Sequence, residues 1–210
     1  MKLGYICVIG AVCATNECKA WNSVADFECS STNALDHVSI LVSEGFRVAL
    51  TNYVATTLDH ESQIAAQIVL GESFLANYNE TMDEQNLTKA MSIATNICAL
   101  THSETNAWYC WQSKLLVFTC LAQSDEINSA YNVVSNALAS MGTMNVMTDN
   151  CVSAAHLKRN QAEGLSIRQA VVLSKALSAA MLQKCSEATN LVSSLPPKYH
   201  EMVSRIINNN

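Results

Sequence analysis

Apolar side chains recur at steps of three and four residues along most of the chain, the period of a helix with one face turned to a core. Leu35, Val38, Val42, Phe46, Ala49 and Tyr53 form one such stripe and predict a helix over 33–58, with Thr32 or Asn33 as its cap and Asp36 in its first turn. Ile64, Ile68, Leu75 and Tyr78 predict the next, over 60–78. Thr81-Met82-Asp83-Glu84 has the form of a capping box, and the helix it opens sets Leu87, Met91, Ala94, Cys98 and Thr101 on one face. A new helix is predicted from Ser103-Glu104, carrying Trp108, Trp111, Leu115 and Phe118.

Ser124, followed by Asp125 and Glu126, predicts a cap for a helix with Ile127, Tyr131, Val134, Leu138 and Met141, closed by Gly142. Residues 143–165 suggest a short helix near 151–158 and a polar loop ending at Gly164. Ser166 and Gln169 make a second capping box, opening a long helix striped with Leu173, Leu177, Ala180, Lys184, Ala188 and Leu191. Pro196-Pro197 stops that helix, and Pro197 suits the first turn of a last one carrying Tyr199, Met202, Val203 and Ile206. Residues 208–210 are expected to fray.

Composition sharpens this pattern. Only six glycines and two prolines occur, too few for the turns of a β-rich fold or for long irregular loops. The expected fold is therefore all-α, a compact multi-helix bundle of about six to eight helices, in a single helical domain over 33–207. Glycines 45 and 71 fall inside helical stripes, where each marks close packing or a break.

The N-terminus follows a different rule. Lys2 precedes an apolar run over 3–12 and then small residues, the form of a secretory signal peptide over 1–14 cut after Ala14, or alternatively after Ala20. The run is too short to span a bilayer. Residues 15–32 are expected to be irregular. The mature chain is expected to be secreted and extracellular.

In that compartment the cysteines become the strongest chemical signal. Cys29, Cys98, Cys110, Cys120, Cys151 and Cys185 lie in the mature chain, and a disulfide framework stapling the bundle is the default expectation. No Cys-x-x-Cys occurs, so zinc-ribbon and dithiol-redox chemistry are not indicated. The stretch 98–120 holds three of the cysteines and two of the three tryptophans, and reads as a central helical hairpin. If the chain turns at about Glu104, Cys98 and Cys110 stand at equal height, which makes Cys98–Cys110 the favoured bond. Cys110 and Cys120 lie about 15 Å apart along one helix and cannot pair. Cys18, if it survives cleavage after Ala14, is a candidate intermolecular thiol.

A secreted chain also gives meaning to two sequons, Asn79-Glu80-Thr81 and Asn86-Leu87-Thr88, so Asn79 and Asn86 are glycosylation candidates. Asn79 stands just before a predicted helix, whereas Asn86 depends on which helix face it occupies.

Enzymatic signals are weak. Asp59-His60-Glu61 is the densest ionisable cluster, but consecutive helical residues point in different directions, and acids at a helix start already suit the dipole. Cys98 and His102 have nucleophile–base spacing on a helix, though a disulfide is the stronger expectation for Cys98. No Gly-x-Ser-x-Gly, phosphate-binding loop or dinucleotide fingerprint is present. No catalytic residue, metal ligand or cofactor is expected.

Charge narrows the partners. Charged residues make up 14% of the chain and the formal net charge is −6, without a basic stripe for phosphates, so nucleic acid is not an expected partner. No cationic amphipathic helix points to membrane insertion. The leading expectation is a secreted, non-enzymatic structural or protein-interaction protein, able to self-associate. An alternative is a carrier of a small apolar ligand lined by Met91, Trp108, Trp111, Phe118, Met141 and Met181. A further alternative is a secreted effector or toxin.

Overall fold

The computed structural model describes residues 42–100, 107–141 and 165–209. Among the described residues there are eight helices and no strand: α1 (Glu44–Thr56), α2 (His60–Thr81), α3 (Glu84–Leu100), α4 (Ala107–Gln123), α5 (Ile127–Met141), α6 (Ile167–Met181), α7 (Cys185–Val192) and α8 (Pro197–Asn209). The fold is an all-helical bundle, as the periodicity predicts. Cys18, Cys29 and Cys151, the segment 1–32, the predicted helix near 151–158 and the stretch 33–41 of the first predicted helix lie outside the described residues.

Helices α2 and α4 are the pillars. Ile64, Ala65, Ala66, Ile68, Val69, Leu70, Gly71, Glu72, Ser73, Leu75 and Tyr78 of α2 are all buried, which covers every side of the helix rather than one stripe. In α4 five consecutive residues, Tyr109 to Ser113, are buried, followed by Leu115, Leu116, Phe118, Cys120 and Ala122. A helix buried this widely must be enclosed by others. Accordingly α2 packs against α1, α3 and α4, and α4 against α2, α3, α5 and α6.

The core has three regions. Leu50, Ile64, Ile68, Trp111, Phe118, Val134, Met141 and Val171 knit α1, α2, α4, α5 and the start of α6 together. Leu75, Tyr78, Leu87, Ala90, Ala94, Leu116 and Cys120 join α2, α3 and α4. Leu173, Leu177, Ala180, Ala188, Val192, Tyr199 and Val203 seat α7 and α8 on α6.

Gly71 explains how closely α2 approaches its neighbours. A Cβ there would stand 2.6 Å from Leu116 Cδ2 of α4 and 3.4 Å from Ile93 Cγ2 of α3. Gly45 has no such neighbour; its Cβ would meet only Ser43 Oγ, at 3.7 Å. The two glycines that interrupt the helical pattern thus have opposite meanings.

The helix ends hold most of the departures from expectation. The Ser166 box forms as read: Ser166 Oγ accepts from Gln169 N at 3.2 Å, and Gln169 Oε1 accepts from Ser166 N at 2.9 Å. The Thr81 box does not form. Thr81 belongs to the last turn of α2, donating to Asn77 O, and Asp83 caps α3 instead by accepting from Gln85 N at 3.0 Å. Ser124 is likewise drawn back onto α4, donating to Cys120 O, so that the first bond of α5 runs from Ala130 N to Glu126 O.

The long helix predicted after Ser166 is two helices. Gln183 adopts φ 59°, and Lys184 N and Gln183 N bond to Ala179 O and Ala180 O, the paired bonds of a Schellman stop. Asp125 does the same after α4 at φ 60°, with Glu126 N on Leu121 O and Asp125 N on Ala122 O. Lys184 therefore leaves the predicted apolar stripe for the surface, and α7 folds back onto α6. Pro197 opens α8 as predicted, and the helix runs through Asn209, past the expected fray point.

Candidate functional site

The predicted disulfide is the first correction. Cys98, Cys110, Cys120 and Cys185 are free thiols, and no pair of cysteines among the described residues lies at disulfide distance. The antiparallel arrangement of α3 and α4 is present, since Leu87, Ala90 and Ala94 share a cluster with Leu116 and Cys120 while Cys98 faces Ser113. Its register is what excludes Cys98–Cys110. Cys98 Sγ lies 3.0 Å from Ser113 Oγ, so Cys98 is level with Ser113 and not with Cys110, nearly one helical turn away. Cys110 and Cys120 are both buried on an unbroken α4, so the exclusion of that pair stands. Burial pushes the Cys120 thiol up to about 12. That thiol is a core hydrophobe rather than a nucleophile. Cys185 is exposed, at the start of α7.

Polar groups, most of them buried, make a seam between α2 and α4. Tyr109 Oη donates to Glu61 Oε1 at 3.0 Å, and Gln112 Nε2 reaches Glu72 Oε1 at 3.5 Å. Glu72, Gln112 and Arg47 are each buried. Arg47 fastens α1 to the same region: its guanidinium donates to Val42 O and Glu44 Oε2, both at 2.7 Å, and lies 5.7 Å from the Phe74 ring centroid. Glu72 was visible in the sequence only as the sole acid in an apolar run, which had no reading as a site.

A second cluster joins α5, α6 and α7, and the sequence offers no signal for it because its members are 56 residues apart. Tyr131 Oη lies 2.9 Å from both carboxylate oxygens of Glu187, and Lys175 Nζ lies 3.1 Å from Glu187 Oε1. Lys184 Nζ stands 3.7 Å from the Tyr131 ring centroid and Lys175 Nζ 5.6 Å from it, a cation–π arrangement. Partial burial works against the Glu187 carboxylate, but the hydrogen bonds from Lys175 and Tyr131, with the charge of Lys184, hold its pKa below the ordinary 4.5.

The Asp59-His60-Glu61 triplet divides as its helical position requires. Asp59 is the cap of α2, accepting from Ser62 N at 2.8 Å, and the Ser62 side chain together with that bond holds its carboxyl below the usual range. Glu61 is taken by Tyr109, and His60 is exposed. His102 lies outside the described residues. No group of three His, Cys, Asp or Glu among the described residues could hold a metal ion.

The proposed ligand liners fall in different parts of the core where they are described. Trp111, Phe118 and Met141 are buried, packed within the first core region, and Met91 packs against the α2–α3–α4 region. Met181 is half-buried at the end of α6. The Trp108 side chain lies outside the described residues. Of the sequon residues, Asn79 is exposed in the last turn of α2, whereas Asn86 is buried and its Nδ2 donates to Asp83 Oδ2 at 3.1 Å.

Comparison with known proteins finds no matching family model, no matching curated protein and no matching solved structure.

Proposed function

We propose that the chain is a secreted, non-enzymatic protein that works through the surface of its helical fold, by self-association or by binding another protein. The observation that supports this best is the use made of the polar groups that lie between helices. Glu61, Arg47 and Glu187, the side chains with most capacity for chemistry, each join one helix to another. What faces outward is weakly charged, and it includes Leu58, fully exposed on the turn between α1 and α2. Asp59 fixes one end of that turn, and Gln63 Nε2 donates across it to Val54 O at 3.0 Å. An apolar side chain on a pinned turn loses little freedom on contact with a partner.

Secretion rests on Lys2 and the apolar run over 3–12. No helix among the described residues is long and apolar enough to cross a membrane. In an oxidising compartment, Cys185, the exposed cysteine among the described residues, is the one we propose for covalent pairing, with Cys18, Cys29, Cys151 or a second chain.

The test is expression of the full chain in eukaryotic secretory cells, with native mass spectrometry and N-terminal sequencing of the medium. A mature chain starting at Thr15 or Trp21, in an oligomer weakened by Leu58→Ser, is the expected result. Chain left in the lysate with Met1 intact would sink the secretory reading. A retained apolar molecule would replace interaction with carriage.

A further inference from the structure

We infer that Asn79 is an N-glycosylation site and that Asn86, although it carries the same triplet, is not; the inference rests on the secretory reading above. Both triplets offer the acceptor amide and the hydroxyl two residues on. The fold separates them. Asn86 is 6% exposed, its Nδ2 is committed to Asp83 at the cap of α3, and the adjoining Leu87 is part of the core. A glycan on that nitrogen would lift the first turn of α3 out of its seat.

Asn79 differs in exposure. Residues 79–85 are all exposed, the longest such run among the described residues. Met82 at φ 57° ends α2 just beyond the triplet. The last turn of a helix has carbonyls without intrahelical partners and frays readily, so this triplet can open to meet a transferase. In the transfer, Asn79 Nδ2 forms a bond to C1 of the sugar and loses one proton. The polyisoprenoid pyrophosphate that carried the oligosaccharide departs with the electron pair of the broken C1–O bond. The glycan then projects from the exposed run and leaves the α2–α3 packing untouched.

The experiment expresses the full chain in insect cells in two forms, one with its own N-terminus and one with an established secretory leader placed before Thr15. Peptide mass spectrometry before and after peptide-N-glycosidase reads each sequon. The expected product carries one glycan, at Asn79; Asn79→Gln abolishes it and Thr88→Ala leaves it unchanged. Thr81→Ala removes the same glycan while keeping Asn79, and serves if N79Q misfolds. Leader-driven protein that emerges without a glycan, or with one on Asn86, overturns the assignment. A glycan at Asn79 only in the leader-driven form supports the site while removing the secretory reading of residues 1–14.

Discussion

Cys98 of α3 and Ser113 of α4 meet at 3.0 Å, and Ser113 Oγ donates to Cys110 O at 2.9 Å. A serine hydroxyl has one proton to give, so Cys98 is the donor of the first bond and holds its thiol proton. Burial also favours that proton, keeping the Cys98 pKa above the ordinary 9.0.

Thiol reactivity should therefore be graded. In the reduced protein at pH 8, iodoacetamide is expected to label Cys185 first and Cys98 much more slowly. Cys120, with its thiol near 12 and no solvent access, should react only on unfolding. Peptide mapping over a time course checks the order, and early labelling of Cys120 would contradict the packing of α4.

Gly71 and Gly45 should respond oppositely to the same change. Gly71→Ala forces Leu116, itself 1% exposed, to move within a packed core. A cost of about 1–3 kcal/mol is expected from overpacking. Gly45→Ala makes only an ordinary contact with Ser43 Oγ and should stabilise by up to about 0.5–1 kcal/mol, through lower backbone entropy in the unfolded chain. Urea denaturation of the two variants measures both signs.

Gln183 and Asp125 hold left-handed backbone that glycine adopts without penalty. Gln183→Gly and Asp125→Gly should each raise stability by about 1 kcal/mol, since a left-handed non-glycine residue costs roughly 1–2 kcal/mol and glycine returns part of that as entropy. A fall in the midpoint would show that the Gln183 or Asp125 side chain contributes more than its backbone costs.

Glu187 links stability to pH. Its folded pKa is depressed, so its contribution is fully present above the ordinary carboxylate value of 4.5 and is lost as pH falls through the lower folded value. Glu187→Gln should lower stability at pH 7 and make the acid limb of the profile shallower. Thermal melts from pH 7 to pH 3 test this, and an unchanged acid limb would place the acid sensitivity elsewhere.

Stripes were legible where one face of a helix meets the core. Phe46, Ile64, Leu87, Val134, Leu173 and Val203 all fall inside as their spacing implies. The Ser166 box was legible because donor and acceptor lie within one turn. Helix stops were not, because the usual signal is glycine and this chain ends helices on Met82, Asp125 and Gln183. The α3–α4 register escaped for a related reason: spacing gives the order of residues along each arm but not the height at which the arms meet. The polar clusters escaped because Glu61 and Tyr109, or Tyr131 and Glu187, come together only through the fold.

The enclosure of α2 has a consequence for how the chain is made. Its neighbours lie on both sides of it in sequence, α1 before and α3 and α4 after. A helix buried on most of its surface gains its full packing only when all three are in place. During synthesis, then, α2 is expected to complete its packing only once Gln123 has cleared the ribosome, and a cut between α1 and α4 would separate it from at least one of these neighbours.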